Sequence, residues 1–434
     1  MTLSTSPLLR MTALCGLYVA QGIPYGFVVY TLAAYFAERG LDAEAIGTTL
    51  AMGMIPWAFK WAFGPVVDRW TILSMGRRRP WILLAQAGMI ATILAMAALP
   101  DPVDAIGTLG ILILLHNTFN ALQDVSVDAL AVDLLDESER GRANGLMYGS
   151  KYLGTSIGAA GLGILIGPIG MPATMVVQAT LLAAIMLIPL LARERPGERL
   201  LPWTAGTASP VAASLEERSL LSLAADLARA FGRRSSLVAA LVATLALLPS
   251  GLLAPIANVL FIQDLGWTKE EYVAITGTLG VWAGLGGSIA GGFLADFVGP
   301  RRLAAISAAA LGAMLAGFGL LEPLWADRGL VVGYLVAESA LLAVLNVSLF
   351  AVFMGVASPR VAATQFTAYM ALLNLSTTIG LRLAGPLDER LDAATIYLVA
   401  GGLQASIVLL LPLVALRRTR DADSVPPTDA PPLS

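Results

Sequence analysis

Residues 80–99 read PWILLAQAGMIATILAMAAL, twenty positions without a charged side chain, entered through Arg77-Arg78-Arg79 and left through Pro100-Asp101. At about 1.5 Å per residue such a helix is about 30 Å long, the hydrocarbon thickness of a bilayer. The same ruler finds 11–37, 45–67, 105–132, 143–168 and 172–192 in the first part of the chain. After a polar stretch it finds 237–262, 271–297, 301–321, 329–356, 362–387 and 393–416. The chain therefore reads as an all-α membrane protein of twelve transmembrane helices in two pseudo-symmetric six-helix bundles. The expected divisions are an N-terminal bundle at 1–192, a cytoplasmic central loop at 193–236, a C-terminal bundle at 237–416 and a disordered cytoplasmic tail at 417–434.

Composition supports this and narrows function. Of 434 residues, 57% are hydrophobic and 13% charged, with a mean hydropathy of +0.76. Soluble domains carry roughly a quarter charged residues. A net charge of −3 gives no reason to expect a nucleic-acid partner. The single cysteine, Cys15, cannot form an intrachain disulfide or a cysteine-based metal site, and it reads as a small packed residue. The first apolar run is longer than a signal-peptide core and reads as a retained helix. The phosphate-binding pattern Gly-x-x-x-x-Gly-Lys-Ser/Thr does not occur, so ATP does not drive the protein directly. No cofactor or metal is expected.

Basic residues set the orientation. With the N-terminus cytoplasmic, twenty of the 27 lysines and arginines fall inside and five outside, while Lys60 and Lys151 lie within helices. Both termini are then inside. The two halves also echo each other. Gly64 and Asp68, followed by Arg77-Arg78-Arg79, recur as Gly292 and Asp296, followed by Arg301-Arg302. Asp124-Val-Ser126 and Thr155-Ser-Ile-Gly158 recur as Asn346-Val-Ser348 and Thr377-Thr-Ile-Gly380, both at an offset of 222 residues. Parallel six-helix repeats with a midplane site between them are a transporter plan.

Gly64-Pro-Val-Val-Asp68-Arg69 followed by Gly76-Arg77-Arg78-Arg79 resembles the loop signature of the major facilitator superfamily, here with WTILSM inserted between its parts. Gln123-Asp124, Asp128-Ala129, Asp133-Leu134-Leu135, Glu139-Arg140-Gly141 and Ala20-Gln21-Gly22-Ile23-Pro24-Tyr25-Gly26 resemble the peptide/acetyl-coenzyme A transporter branch. That branch includes AmpG-type muropeptide permeases and siderophore importers. The resemblance implies that Gly64, Asp68, Arg69, Arg77, Arg78, Arg79, Gly292 and Asp296 gate alternating access.

Ionisable groups inside a bilayer cost at least about 2.5–3.5 kcal/mol each and face a cavity or a partner. In the fourth helix His116, Asn120, Asp124 and Asp128 follow one another every fourth residue and form a stripe on one face. Lys151 falls at the depth of Asp124, and an Asp124–Lys151 ion pair is expected. It either pins two helices permanently or exchanges its partner with substrate or a proton. Proton coupling is assigned first to Asp124 and Asp128, then to Glu338, then to His116, the lone histidine, which reads more readily as a hydrogen-bonded core residue. Polar and aromatic groups suited to an organic solute are Gln21, Tyr25, Tyr30, Asn120 and Gln123 in the first half. Those in the second half are Asn258, Asn346, Gln365, Tyr369, Asn374 and Arg382. Each reads equally as an interhelical hydrogen bond, and Arg382 as a headgroup contact.

These readings converge on a non-enzymatic secondary transporter in a bacterial inner membrane, expected as a monomer in the lipid bilayer. It is expected to import a small-molecule substrate, polar and muropeptide-like, with protons as the coupling ion. A siderophore importer and a drug or metabolite exporter share the same signals. An intramembrane enzyme would need a catalytic constellation; the Asp124 and Asp128 pair is the nearest thing to one.

Overall fold

A computed structural model describes residues 2–135, 137–210, 225, 228–358 and 362–415, without the side chains of 137, 138, 140–142, 144, 296, 362 and 363. The Asp296 side chain and the tail at 417–434 therefore lie outside the described residues, as does part of the central loop. Helices account for the membrane-sized apolar runs: α1 Pro7–Glu38, α2 Ala43–Arg69, α3 Arg79–Ala97 and α4 Ile106–Leu134. A long helical stretch from Glu137 to Leu191 turns at Gly170, whose φ of 80° only glycine adopts readily. It divides into α5 (137–169) and α6 (171–191). The second half holds α7 Arg234–Asp264, α8 (269–298), α9 Pro300–Leu320, α10 Arg328–Val356, α11 Ala362–Asp388 and α12 Ala393–Leu413.

Nine described stretches are long and apolar enough to cross a membrane. Dividing one of them at Gly170 adds a span. The more polar α4 and α11, 29 and 27 residues long, bring the described spans to twelve. Caps explain the helix starts. Ser6 accepts from the Leu9 N–H ahead of Pro7, so α1 begins four residues before its apolar run. Asp42, Asp327 and Asp392 cap α2, α10 and α12, and a Thr268–Glu271 capping box starts α8.

The repeat seen in sequence is a repeat of packing. In the first half α1 lies on α5, and a Cβ at Gly158 would run into the Ile23 carbonyl and sit 2.9 Å from the Phe27 nitrogen. In the second half α7 lies on α11, and a Cβ at Gly380 would meet the Leu248 carbonyl and come within 2.7 Å of the Leu252 nitrogen. Arg79 at the start of α3 binds the Pro189 carbonyl near the end of α6, and Arg301 at the start of α9 binds the Val414 carbonyl after α12. Between the halves, α2 packs on α11 and α5 on α8, two seams related by the same pseudo-symmetry.

The seam is tied most firmly where α1 ends and α2 begins. Lys269 pairs with Glu38 at 2.7 Å, Gln263 donates to the Ala37 and Leu41 carbonyls, and Arg382 binds Thr48. Toward the opposite end Asp128 of α4 and Tyr148 of α5 are exposed, although both meet Tyr18 of α1.

Candidate functional site

The site is built around a break in α2. Pro56 cannot donate a backbone hydrogen bond. The regular helix stops at Ala58, and a tight turn over Lys60–Ala62 precedes Phe63–Arg69. That turn aims Lys60 inward, where its Nζ lies 3.0 Å from Asp124 Oδ2. The expected Asp124–Lys151 pair is thus replaced by Asp124–Lys60. Lys151 stands over Trp57 instead, with Nζ 5.3 Å from the ring centroid, a cation–π distance; Lys60 lies 6.0 Å from the same ring. Trp57 is fixed by a hydrogen bond from its indole N–H to Asn117 Oδ1 at 3.2 Å. Asp128, one turn along α4, accepts from the Tyr18 hydroxyl at 2.5 Å, and the Tyr18 ring meets Tyr148 edge-on at 5.9 Å. Two lysines and two aspartates from α2, α4 and α5 therefore share one patch beside the seam.

The first half also buries several amides. Asn120 and Gln21 are fully buried, and among the described residues neither amide has a hydrogen-bond partner. Gln86 in α3 is in the same condition. Gln123 donates to the Leu17 carbonyl and leaves its oxygen unpaired. Unmade hydrogen bonds of buried polar groups cost about 1–3 kcal/mol each, so these amides are suited to water or a polar solute. His116 is buried against α3, with Nδ1 3.2 Å from the Met89 carbonyl and 3.0 Å from Thr92 Oγ1. A carbonyl only accepts, so Nδ1 carries the hydrogen.

The second half sorts the remaining candidates. Asn374 reaches across the seam and donates to the Trp57 carbonyl at 3.1 Å, and Tyr152 of α5 bonds Ser288 of α8 at 3.1 Å. Glu338 is half-buried on α10 within electrostatic reach of Tyr30 and Tyr272, and Tyr25 and Tyr30 are half-buried on α1. Asn258 spends its N–H on its own helix, and Asn346 is half-buried with a free oxygen. Gln365 and Tyr369 do not line a path. Both are fully buried; Gln365 joins Ser236, Ser358 and Tyr369, and the Tyr369 ring stacks on Phe353. They hold the second bundle together. Arg382 is exposed at the tied end of the seam.

At the other end, Arg78 bridges Asp68 at 2.5 Å and Asp133 at 3.0 Å, linking the ends of α2 and α4, with Arg77 3.7 Å from Asp68. Arg69 is exposed, and Gly64 and Gly292 have open space where a Cβ would lie. Arg79 departs from the expected gating role. Its buried guanidinium binds the carbonyls of Pro189, Leu190, Arg199 and Leu200, serving the end of α6 and the strap after it. The strap answers in kind: the Glu194 carboxylate accepts from the backbone N–H groups of Arg77, Arg78 and Arg79, ahead of α3. Burial pushes Glu194 above the usual carboxylate range, and burial with nearby Glu194 pushes Glu198 up to about 7.

A duplicated twelve-helix chain with a charged patch on its seam is a transporter architecture, and residues 14–381 match the Major Facilitator Superfamily. The chain belongs to that superfamily. This superfamily member is 28% identical over 425 residues to the anhydromuropeptide permease of Escherichia coli (strain K12), across 96% of its own length and 82% of the permease. Its fold is shared with the nucleoside transporter NupG, with a TM-score of 0.70 at 16% identity, covering 95% of this chain and 99% of NupG. A D-xylose-proton symporter gives a TM-score of 0.70 at 12% identity, over 93% and 96% of the two chains. The protein is a multi-pass membrane transporter and not an enzyme.

Proposed function

We propose that this transporter imports a polar, muropeptide-like solute across a bacterial inner membrane by alternating access, driven by protons and acting as a monomer with both termini cytoplasmic. The carrying observation is the patch of Lys60, Asp124, Asp128 and Lys151 beside the seam, because groups so costly in a membrane persist where they bind solute or protons. Similarity to a permease for anhydromuropeptides supports the solute class. The ties at Glu38, Lys269 and Gln263, with Asp128 exposed at the other end, suit a state closed outside and open to the cytoplasm. The halves 1–192 and 237–416 would rock about the patch, with 193–236 joining them.

The test is uptake of labelled anhydromuropeptide into proteoliposomes. With the outside made acidic, uptake is expected to accelerate and to collapse on adding a protonophore. Uptake indifferent to the imposed gradient would remove proton coupling; no uptake under any gradient would remove the solute.

A further inference from the structure

We propose that Lys151, held over Trp57, is the receptor for a carboxylate of the solute, and that each carboxylate bound there is matched by one proton taken up on Asp128. This rests on the transport reading and names the chemistry that its site selects.

Charge bookkeeping at the patch leads to the assignment. Lys60 is engaged by Asp124 at 3.0 Å, and Asp128 is engaged by the Tyr18 hydroxyl. Among the described residues Lys151 has no carboxylate within 4.0 Å; its neighbour is the Trp57 ring. A ring face is a weak counter-charge, worth about 0.5–2 kcal/mol, so the ammonium keeps donors for an incoming anion. Trp57 is itself buried and so positions the ammonium rather than meeting the solute. Asn374 of the other half holds its carbonyl, which ties this support of Lys151 to the seam. The favoured solute therefore carries a carboxylate.

The proton follows from electroneutrality. With both aspartates ionised, the two lysines and two aspartates sum to zero. A bound carboxylate leaves one negative charge uncompensated in a low-dielectric patch, where like charges interact strongly. Asp128 faces Tyr18 from α1, Lys60 from α2, Asp124 on its own helix, and Tyr148 and Lys151 from α5. Of the two aspartates it is the exposed one, free of a direct lysine bond, and so the one water can protonate. A proton moving from water to a carboxylate oxygen of Asp128 restores neutrality, so anion and proton bind cooperatively.

The experiment measures binding of anhydromuropeptide and its amidated, uncharged derivative to the purified full chain across pH. N-acetylmuramate and its amide are run beside them as thermal-shift probes. Wild type is expected to prefer the acid over the amide by about ten- to a hundredfold, the loss typical of a charge-assisted hydrogen bond. Acid binding should weaken as pH rises. Lys151→Gln should abolish the preference and Lys151→Arg retain most of it. Asp128→Asn should keep the preference and lose the pH dependence. Lys151→Gln with an intact preference overturns the receptor, and so does a wild type that prefers no carboxylate probe to its amide. An Asp128→Asn protein that still follows pH overturns the proton partner. A wild type that ignores both muropeptides but is stabilised by N-acetylmuramate over its amide keeps the receptor and dismisses muropeptide transport.

Discussion

At the offset of 222 residues α4 and α10 can be laid over each other: His116 falls on Glu338, Asn120 on Leu342, Asp124 on Asn346 and Asp128 on Phe350. Between them Ser126 bonds the Leu122 carbonyl and Ser348 the Val344 carbonyl, each at 2.7 Å, again 222 residues apart. On the partner helices Lys151 falls on Leu373, while the Gly64–Gly292 offset of 228 sets Lys60 on Ser288 and Trp57 on Leu285. Every member of the charged quartet thus has an uncharged counterpart. Glycine contacts and serine back-bonds, which set helix spacing, survived duplication. The quartet's charges do not recur, so the proposed solute and proton chemistry falls on the first half.

The largest way to break this contrast is Lys60→Ala. It leaves Asp124 buried without its ion, and breaking a buried pair from one side costs about 3–5 kcal/mol. Thermal unfolding in detergent should show a severe loss, and Asp124→Asn in the same chain should recover much of it. At the equivalent position Ser288→Ala loses one hydrogen bond to Tyr152, about 0.5–1.5 kcal/mol. Additive Lys60 and Asp124 effects would mean that the pair carries no shared burden.

Gly158→Ala and Gly380→Ala come next and should agree with one another. Each new methyl meets backbone of the facing helix, and overpacking of this kind costs about 1–3 kcal/mol, more where backbone must move. Comparable falls in Tm support a common scaffold; a benign change in one half would limit the repeat to sequence.

The strap at Glu194 and Glu198 gives the first half a pH-sensitive contact. A carboxyl raised to about 7 in the folded chain holds its proton there more tightly than when unfolded, where it ionises near 4.5. The folded state then binds more protons at this group, so its contribution to stability is greatest below about pH 4.5, falls as pH rises to about 7, and is flat above. Tm should decline across that window in wild type. Glu198→Gln should flatten the decline, and a slope unchanged by that substitution would place its origin elsewhere.

Much of this was legible in the residues. Apolar runs of membrane length marked the spans, one offset marked the duplication, and fourfold spacing marked the α4 stripe. What could not be read was rotation. Whether Asp124 meets Lys60 or Lys151 depends on the turn after Pro56, and such a break resets the helical phase that spacing relies on. Wide π-helical turns at Phe27–Leu32, Ile157–Gly161, Leu260–Asp264 and Ile275–Gly280 reset it again in α1, α5, α7 and α8. Gln365 and Tyr369 do not reach the seam because α11 carries polar groups on more than one face, so its sequence does not say which face meets the other half. Trp57, Tyr18 and Gln86 had only weak signals, single polar or aromatic groups in apolar runs. For Lys60 a signal existed: a lysine four residues after a mid-helix proline, inside a span.

The smallest expected effect is the sharpest control. Ser126→Ala and Ser348→Ala each remove a hydroxyl that bonds the carbonyl one turn back on its own helix, a local bond that bends a helix without joining it to another. Each should change stability only slightly, since such a back-bond supports no other element. Ser126 lies between Asp124 and Asp128, whereas Ser348 lies between Asn346 and Phe350. Equal Tm values with altered uptake in Ser126→Ala alone would show that bending α4 matters because of the acids it carries. Altered uptake in both would mean that bending is needed for the rocking of either half, and the contrast between α4 and α10 would then rest on their charges alone.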